Sequence, residues 1–180
     1  MSGTAEEYAA ASVEALMSRE AIRRRPGMYV GSTGERGLHN MVFEVSDWAA
    51  NQVLAGRADR VDITLRPDRC VRVAIAGPGT PVEAAGHAGA PGLETLLTRM
   101  DPAPRCGGRR RVGAGLLGLG PCVTNALSSR LTAETRREGM RWVQHYDRGV
   151  AVGPPSAEGA TTETGTVIAF RPDADIFGAA

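Results

Sequence analysis

The sequence predicts an α+β fold, a two-layer sandwich in which helices cover one face of a mixed β-sheet. Three observations lead there. The segment from Gly37 to Gly56 carries Leu38, Met41, Val42, Val45, Ala49 and Val53 at i, i+3, i+4 spacing, the pattern of a long amphipathic helix. Several shorter segments alternate apolar and polar residues, as half-buried strands do. Gly and Pro clusters separate these segments, and no internal repeat is visible, so residues 1–180 are read as one domain.

Residues 1–17 are mostly small, with Tyr8, Val13 and Leu16 as the sizeable apolar groups, and are read as an N-terminal arm. A short helix is expected from the N-cap Ser18 to the residues before Pro26. On the main helix, Glu44, Asp47, Trp48 and Asn51 fall together beside the apolar stripe. Asp47 is read there as a partly exposed residue, and Asn51 and Gln52 as inert. Val61-Ile63-Leu65 and Val71-Val73-Ile75, joined by Pro67-Asp68-Arg69, read as a β-hairpin. A Gly/Pro loop (76–92) precedes a short helix from Leu93 to about Met100. Residues 101–120 read as a lid-like loop dense in Gly, Pro and Arg, with Arg105, Arg109, Arg110 and Arg111 as a solvated basic cluster. Their functional alternative is to grasp an anionic tail on a ligand. Pro121 suits the first position of a helix running through Asn125 to Leu127. Strands over 131–135, 141–147 and 164–171 close the domain, and the final DADIFGAA is read as a terminus.

Composition excludes several functions. The net charge of +1 argues against a nucleic-acid binder. All 21 basic residues are arginine, so a lysine nucleophile, a Schiff base and a phosphate-binding lysine are all excluded. Cys70, Cys106 and Cys122 lack paired spacing, and no zinc or other metal site is expected. With no run of about 20 apolar residues and no signal-peptide core, a cytoplasmic location without membrane contact is expected.

The run RRPGMYVGSTGERGLH (24–39), followed by a helix carrying Phe43-Glu44-Val45, resembles the entry to the N-terminal ATPase domain of gyrase B, the ATP-using half of DNA gyrase. That domain belongs to the GHKL, or Bergerat-fold, superfamily. QVLAG (52–56), NALSSRL (125–131), DRGVAVGP (147–154) and TGTVIAFRPD (164–173) match the same family in order, so the resemblance covers nearly the whole chain. It implies the GHKL two-layer sandwich. It also implies a chain without the family's transducer domain, that domain's phosphate-sensing lysine, or a strand-cleaving domain.

The resemblance assigns roles to individual positions. Glu44 matches the family's general base. The histidine that supports that base is Asn40 here, which is expected to hydrogen-bond Glu44. The asparagine that helps hold magnesium is Trp48. The adenine-reading aspartate is Ile75, and the arginine at the pocket mouth is Pro78. A second arginine is Val143, and the lid histidine is Leu117. Thr166, which assists adenine recognition, is retained, and Thr80 and Leu96 complete the expected lining. Five of these changes, at Trp48, Ile75, Pro78, Leu117 and Val143, replace polar groups by apolar ones.

An adenine amine buried unpaired costs about 1–3 kcal/mol, and a triphosphate without its metal is costlier to bury beside tryptophan and isoleucine. ATP hydrolysis is therefore not expected. The expected function is a pocket for an apolar small molecule, without cofactor, in which Glu44 acts as general acid or base in the cyclisation or isomerisation of a natural-product type substrate. The alternatives are a non-catalytic binding or resistance protein, a regulatory partner of gyrase, and residual ATP binding. A homodimer through the N-terminal arm is a further expectation from the resemblance.

Overall fold

A computed structural model describes residues 19–83, 92–100 and 113–178 of the chain. The N-terminal arm, Ser18, Cys106, residues 84–91 of the Gly/Pro loop and the arginines 105 and 109–111 lie outside the described residues. In chain order the elements are α1 (Arg19–Arg24), α2 (Gly27–Val30), α3 (Glu35–Leu54), β1 (Arg60–Leu65), β2 (Val71–Ala76) and α4 (Leu93–Thr98). They continue with α5 (Pro121–Ala126), β3 (Ser128–Arg137), β4 (Met140–Asp147), β5 (Val150–Ala151), β6 (Ser156–Ala160), β7 (Gly165–Pro172) and α6 (Ala174–Phe177).

The strands form one sheet in the order β1-β2-β7-β3-β4-β5, with β6 also paired to β4. The α+β class stands, but every described pairing is antiparallel, so the sheet is not the expected mixed one. The reason lies in the connections. β1–β2 and β3–β4 are hairpins, and β7 enters between β2 and β3 running against both. A parallel neighbour needs a crossover that returns the chain to the same end of the sheet. The β3–β4 turn is made by Glu138 and Gly139, both at positive φ (54° and 78°), as a tight hairpin requires.

Register builds the core in three rows across β2, β7, β3 and β4. Val71, Phe170, Leu131 and Tyr146 form one row, and Val73, Ile168, Ala133 and Gln144 the next. Ile75, Thr166, Thr135 and Trp142 form the third. The helices cover this face: α3 packs on β1 and β2, α5 on β3 and β7, and α5 also touches α3 and α4. The Thr124 hydroxyl donates to the Met41 carbonyl at 2.8 Å, and the Asn125 amide donates to the Leu97 carbonyl at 2.9 Å. These two bonds key α5 to its neighbours.

Several boundaries differ from the periodicity. α3 begins at Glu35, because Gly34 caps it and its carbonyl accepts from Gly37 N–H at 2.9 Å. It stops at Leu54, before Gly56 turns to φ 69°. The strands β5 and β6 and the short helix α2 carry no periodic signal of their own, and α6 falls in the stretch read as a terminus. β6 is five exposed residues, so it has no buried alternation to read. In β1 the alternation marks parity rather than burial, since Ile63 and Leu65 remain 48% and 71% exposed on the sheet edge.

The two ends of the described chain are tied by charge. Asp173, the N-cap of α6, is buried and accepts from Arg23 Nη2 at 2.7 Å, Arg148 Nε at 3.0 Å and the Asp175 N–H at 3.1 Å. Arg23 also donates to the Ala126 carbonyl at 2.9 Å, so α1 is held against α5 as well.

Candidate functional site

Glu44 and Asp47 stand three residues apart on α3, close to one turn, and therefore share a face. Both are buried, and both carboxylates accept hydrogen bonds from backbone N–H groups of the glycine segment 113–120. Ala114 N–H donates to Asp47 Oδ2 at 2.8 Å and Oδ1 at 3.0 Å, and Gly115 N–H to Oδ2 at 2.8 Å. Gly118 N–H donates to Glu44 Oε1 at 3.2 Å and Gly120 N–H to Oε2 at 2.8 Å. Gly118 and Gly120 sit at φ 61° and 85°, left-handed conformations that turn successive N–H groups towards one anion. Room is tight as well. A Cβ at Gly115 would lie 2.8 Å from Glu44 Oε1.

The third row of the sheet holds other residues of the expected set. Ile75, Thr166 and Thr135 are buried along it, while Trp142 is half-buried. Thr80 closes the row from the β2–α4 loop. Its N–H donates to Thr166 Oγ1 at 2.8 Å, its carbonyl accepts from Thr135 Oγ1 at 2.8 Å, and its hydroxyl meets Thr166 Oγ1 at 2.9 Å. Gly79 permits this approach. It has φ +82°, and an added Cβ would lie 2.5 Å from the Arg136 carbonyl oxygen.

The structure brings together part of the expected set. Ile75, Thr80 and Thr166 meet on the third row; Glu44 is buried separately on α3 and Trp48 is half-buried against the core. Leu96 is half-buried on α4. Others are placed differently. Asn40 donates to the Val30 carbonyl at 2.9 Å and so anchors the turn before α3, whereas Glu44 takes its bonds from glycine amides. Pro78 is exposed and Leu117 is 54% exposed, and it is the Leu117 backbone N–H that faces Glu44. Val143 pairs with Glu134, which pairs in turn with Val167, one position off the Ile75–Thr166 row. Its side chain therefore lies on the sheet face opposite Ile75 and Thr166.

Asp47 corrects the expectation of a partly exposed residue, being buried and bonded to Ala114 and Gly115. Its partners are backbone groups 67 and 68 residues away, which leave no side-chain signal. Asn51 is likewise buried, and donates to the Asp47 carbonyl at 2.7 Å. Thr135 is a member of the row that sequence reasoning missed, although the alternation Leu131, Ala133, Thr135 places it on the inner face.

The residues here do not fit a magnesium ion carrying a triphosphate. Trp48 offers no oxygen where the resemblance puts the metal-binding amide. The oxygens of Glu44 and Asp47 are already engaged by N–H groups. Those same glycine-segment amides are the donors that phosphate oxygens would need.

Glu44 titrates above the ordinary range of its type. Burial is the largest cause; the N–H groups of Gly120, Leu117 and Gly118 oppose it, and the negative charge of Asp47 adds to it. The folded chain thus holds this proton more tightly than the unfolded chain. The associated stability is fully present below the ordinary value of 4.5 and is lost as pH rises through the raised one. Melting curves taken in steps from acid to neutral pH are expected to contain a falling component that Glu44→Gln removes. Parallel profiles for the two proteins would contradict it.

Fold and site together define an α+β domain compatible with the GHKL-like sandwich. The chain is a homologue of the N-terminal, ATPase-like segment of gyrase B. It is 44% identical over 171 residues to the DNA gyrase B protein of Streptomyces coelicolor, a match covering 94% of this chain and 25% of that protein. With the Mycolicibacterium smegmatis gyrase B it shares 45% over 174 residues, covering 96% and 25%. With the novobiocin-resistant gyrase B of Streptomyces niveus it shares 44% over 176 residues, covering 97% and 26%. The chain therefore spans about a quarter of the length of these relatives. No family model matches it. Among the described residues, no helix is long and apolar enough to cross a membrane.

Proposed function

We propose that this gyrase-B-like domain does not hydrolyse ATP and that its former nucleotide cleft, between α3 and the Ile75–Thr166 row, takes an apolar small molecule. The observation that supports this most is the engagement of the glycine-segment amides by Glu44 and Asp47. A nucleotide would have to displace two internal carboxylates, forgo its metal ligand at Trp48 and bury its adenine amine against Ile75. The unpaired amine alone costs about 1–3 kcal/mol, and each 1.4 kcal/mol is about tenfold in affinity.

Calorimetry with Mg·AMPPNP is accordingly expected to show no saturable heat up to about millimolar concentration. A neutral naphthalene-class fluorophore is expected to bind and to lose about tenfold in affinity in Trp48→Ala, the order of one buried aromatic contact. Snug micromolar uptake of Mg·AMPPNP would sink the proposal.

A second reading, acid–base isomerisation or cyclisation of the bound molecule, is favoured by the raised pKa of Glu44. In the described arrangement both Glu44 oxygens are covered by amides, so this chemistry requires the glycine segment to lift.

A further inference from the structure

We infer that Glu44 and Asp47 form a latch that holds the glycine segment 113–120 down on α3, so that entry to the cleft is gated by the release of these backbone amides. The gating role rests on the proposed entry of a ligand between α3 and the sheet, but the latch itself stands on the geometry.

The apolar hold on this segment is slight. Leu116 and Leu117 are 49% and 54% exposed, and of the segment's leucines only Leu119 packs against the core. Against this, five close contacts run from four N–H groups to two buried carboxylates. Hydrogen bonds to an ionised acceptor are roughly twice as strong as neutral ones. The position of the segment is therefore decided by the carboxylates rather than by side-chain burial. Its backbone suits a moving part, because Gly113, Gly115, Gly118 and Gly120 leave it few side chains to repack. The downstream end is fixed, since α5 begins at Pro121 and is keyed to α3 through Thr124 and Met41. The contacts to Asp47 hold the end of the segment that lies away from this anchor. Asp47 is on this view a positioning residue, acting on the segment and not on the ligand.

Amide hydrogen exchange on the full chain tests this without any ligand. Asp47→Asn is expected to speed exchange at Ala114 and Gly115 by more than about tenfold, and Glu44→Gln to do the same at Gly118 and Gly120. Core amides such as Ala133 and Ile168 should keep their rates. Gly115→Ala gives an independent variant that leaves both carboxylates in place. Its Cβ would fall 2.8 Å from Glu44 Oε1 and 3.2 Å from Asp47 Oδ2, and so should push the segment off both. In a Trp142→Phe background, which leaves Trp48 as the sole tryptophan, acrylamide quenching of Trp48 is expected to rise about twofold or more in each variant.

Wild-type exchange across 114–120 in Gly115→Ala and Asp47→Asn would overturn the latch. Should Asp47→Asn fail to fold, Gly115→Ala decides. Faster exchange together with no uptake of the naphthalene probe would keep the latch and remove the cleft as a ligand site.

Discussion

Replacing Asp173 by alanine is expected to destabilise the chain by about 3–4 kcal/mol, the range of a broken buried ion pair. The side chain is 2% exposed and joins Arg23, Arg148 and the first turn of α6. Its loss removes an N-cap, about 1 kcal/mol, and leaves Arg23 partly buried beside the Ala126 carbonyl without its carboxylate. Arg148 is close to half exposed and finds water instead, which keeps the total below a simple sum of the pairs. Asp173→Asn keeps the cap and is expected to cost about half as much. Urea unfolding, with the slope unchanged, measures both, and equal stability of Asp173→Ala and wild type would refute the prediction.

The same residue sets an acid limit. Burial alone would raise the Asp173 carboxyl, but the bonds from Arg23, the Asp175 N–H and Arg148 outweigh it, and the group lies below its ordinary 3.8. Its contribution is full above that ordinary value and is lost as pH falls through the lowered one. It runs opposite to the contribution of Glu44, so the two residues favour stability on opposite sides of the acid range.

The second large effect is steric. Gly37→Ala places a Cβ 2.0 Å from the Ser32 carbonyl oxygen, with Phe177 Cε1 3.2 Å away. Neither the loop backbone nor the ring can give by that much while Ser32 Oγ accepts from the Gly37 N–H at 3.0 Å. Alanine is better than glycine in a helix interior by about 1 kcal/mol, yet here the turn before α3 must move, and a net loss of about 3 kcal/mol or more is expected. Gly27→Ala is the contrast. Nothing lies within 4 Å of its added Cβ, and the change is expected to be neutral or slightly stabilising. Thermal melts of the pair check this, and a Gly37→Ala protein as stable as Gly27→Ala would contradict the steric conflict at Ser32.

Much of the fold is legible because it is periodic. The stripe Met41, Val45, Ala49 forecasts the buried side of α3, and the alternation in Val71-Val73-Ile75 matches its inner face residue by residue. The elements that escape a sequence reading are short or unpatterned. α2 is four residues after a proline, and β6 is exposed along its whole length. Sheet direction escapes it too, because strand patterns do not say which neighbour a strand will take, and β7 reaches its place between β2 and β3 only in the assembled sheet.

The candidate site divides in the same way. Glu44, Ile75, Thr80 and Thr166 are identifiable from the residue types at their motif positions; the structure joins Ile75, Thr80 and Thr166 on the sheet and buries Glu44 on α3 against the glycine segment. Val143 is not recoverable, since its position in the motif hides the parity of β4. Helical spacing points Asn40 at Glu44, but the Val30 carbonyl takes its amide once the turn before α3 has closed.

Residue order alone determined the α+β class, the amphipathic face of α3, the first hairpin, and the apolar character of Trp48 and Ile75 at positions where the resemblance implies polar groups. These follow from periodicity and side-chain chemistry, both local properties of the chain. Only the tertiary structure decided that Asp47 is buried and that the glycine amides settle on two carboxylates of the same molecule. Hydrogen bonds to backbone N–H groups are blind to residue type, so a contact between positions 47 and 115 exists only after folding has brought the segment onto the helix.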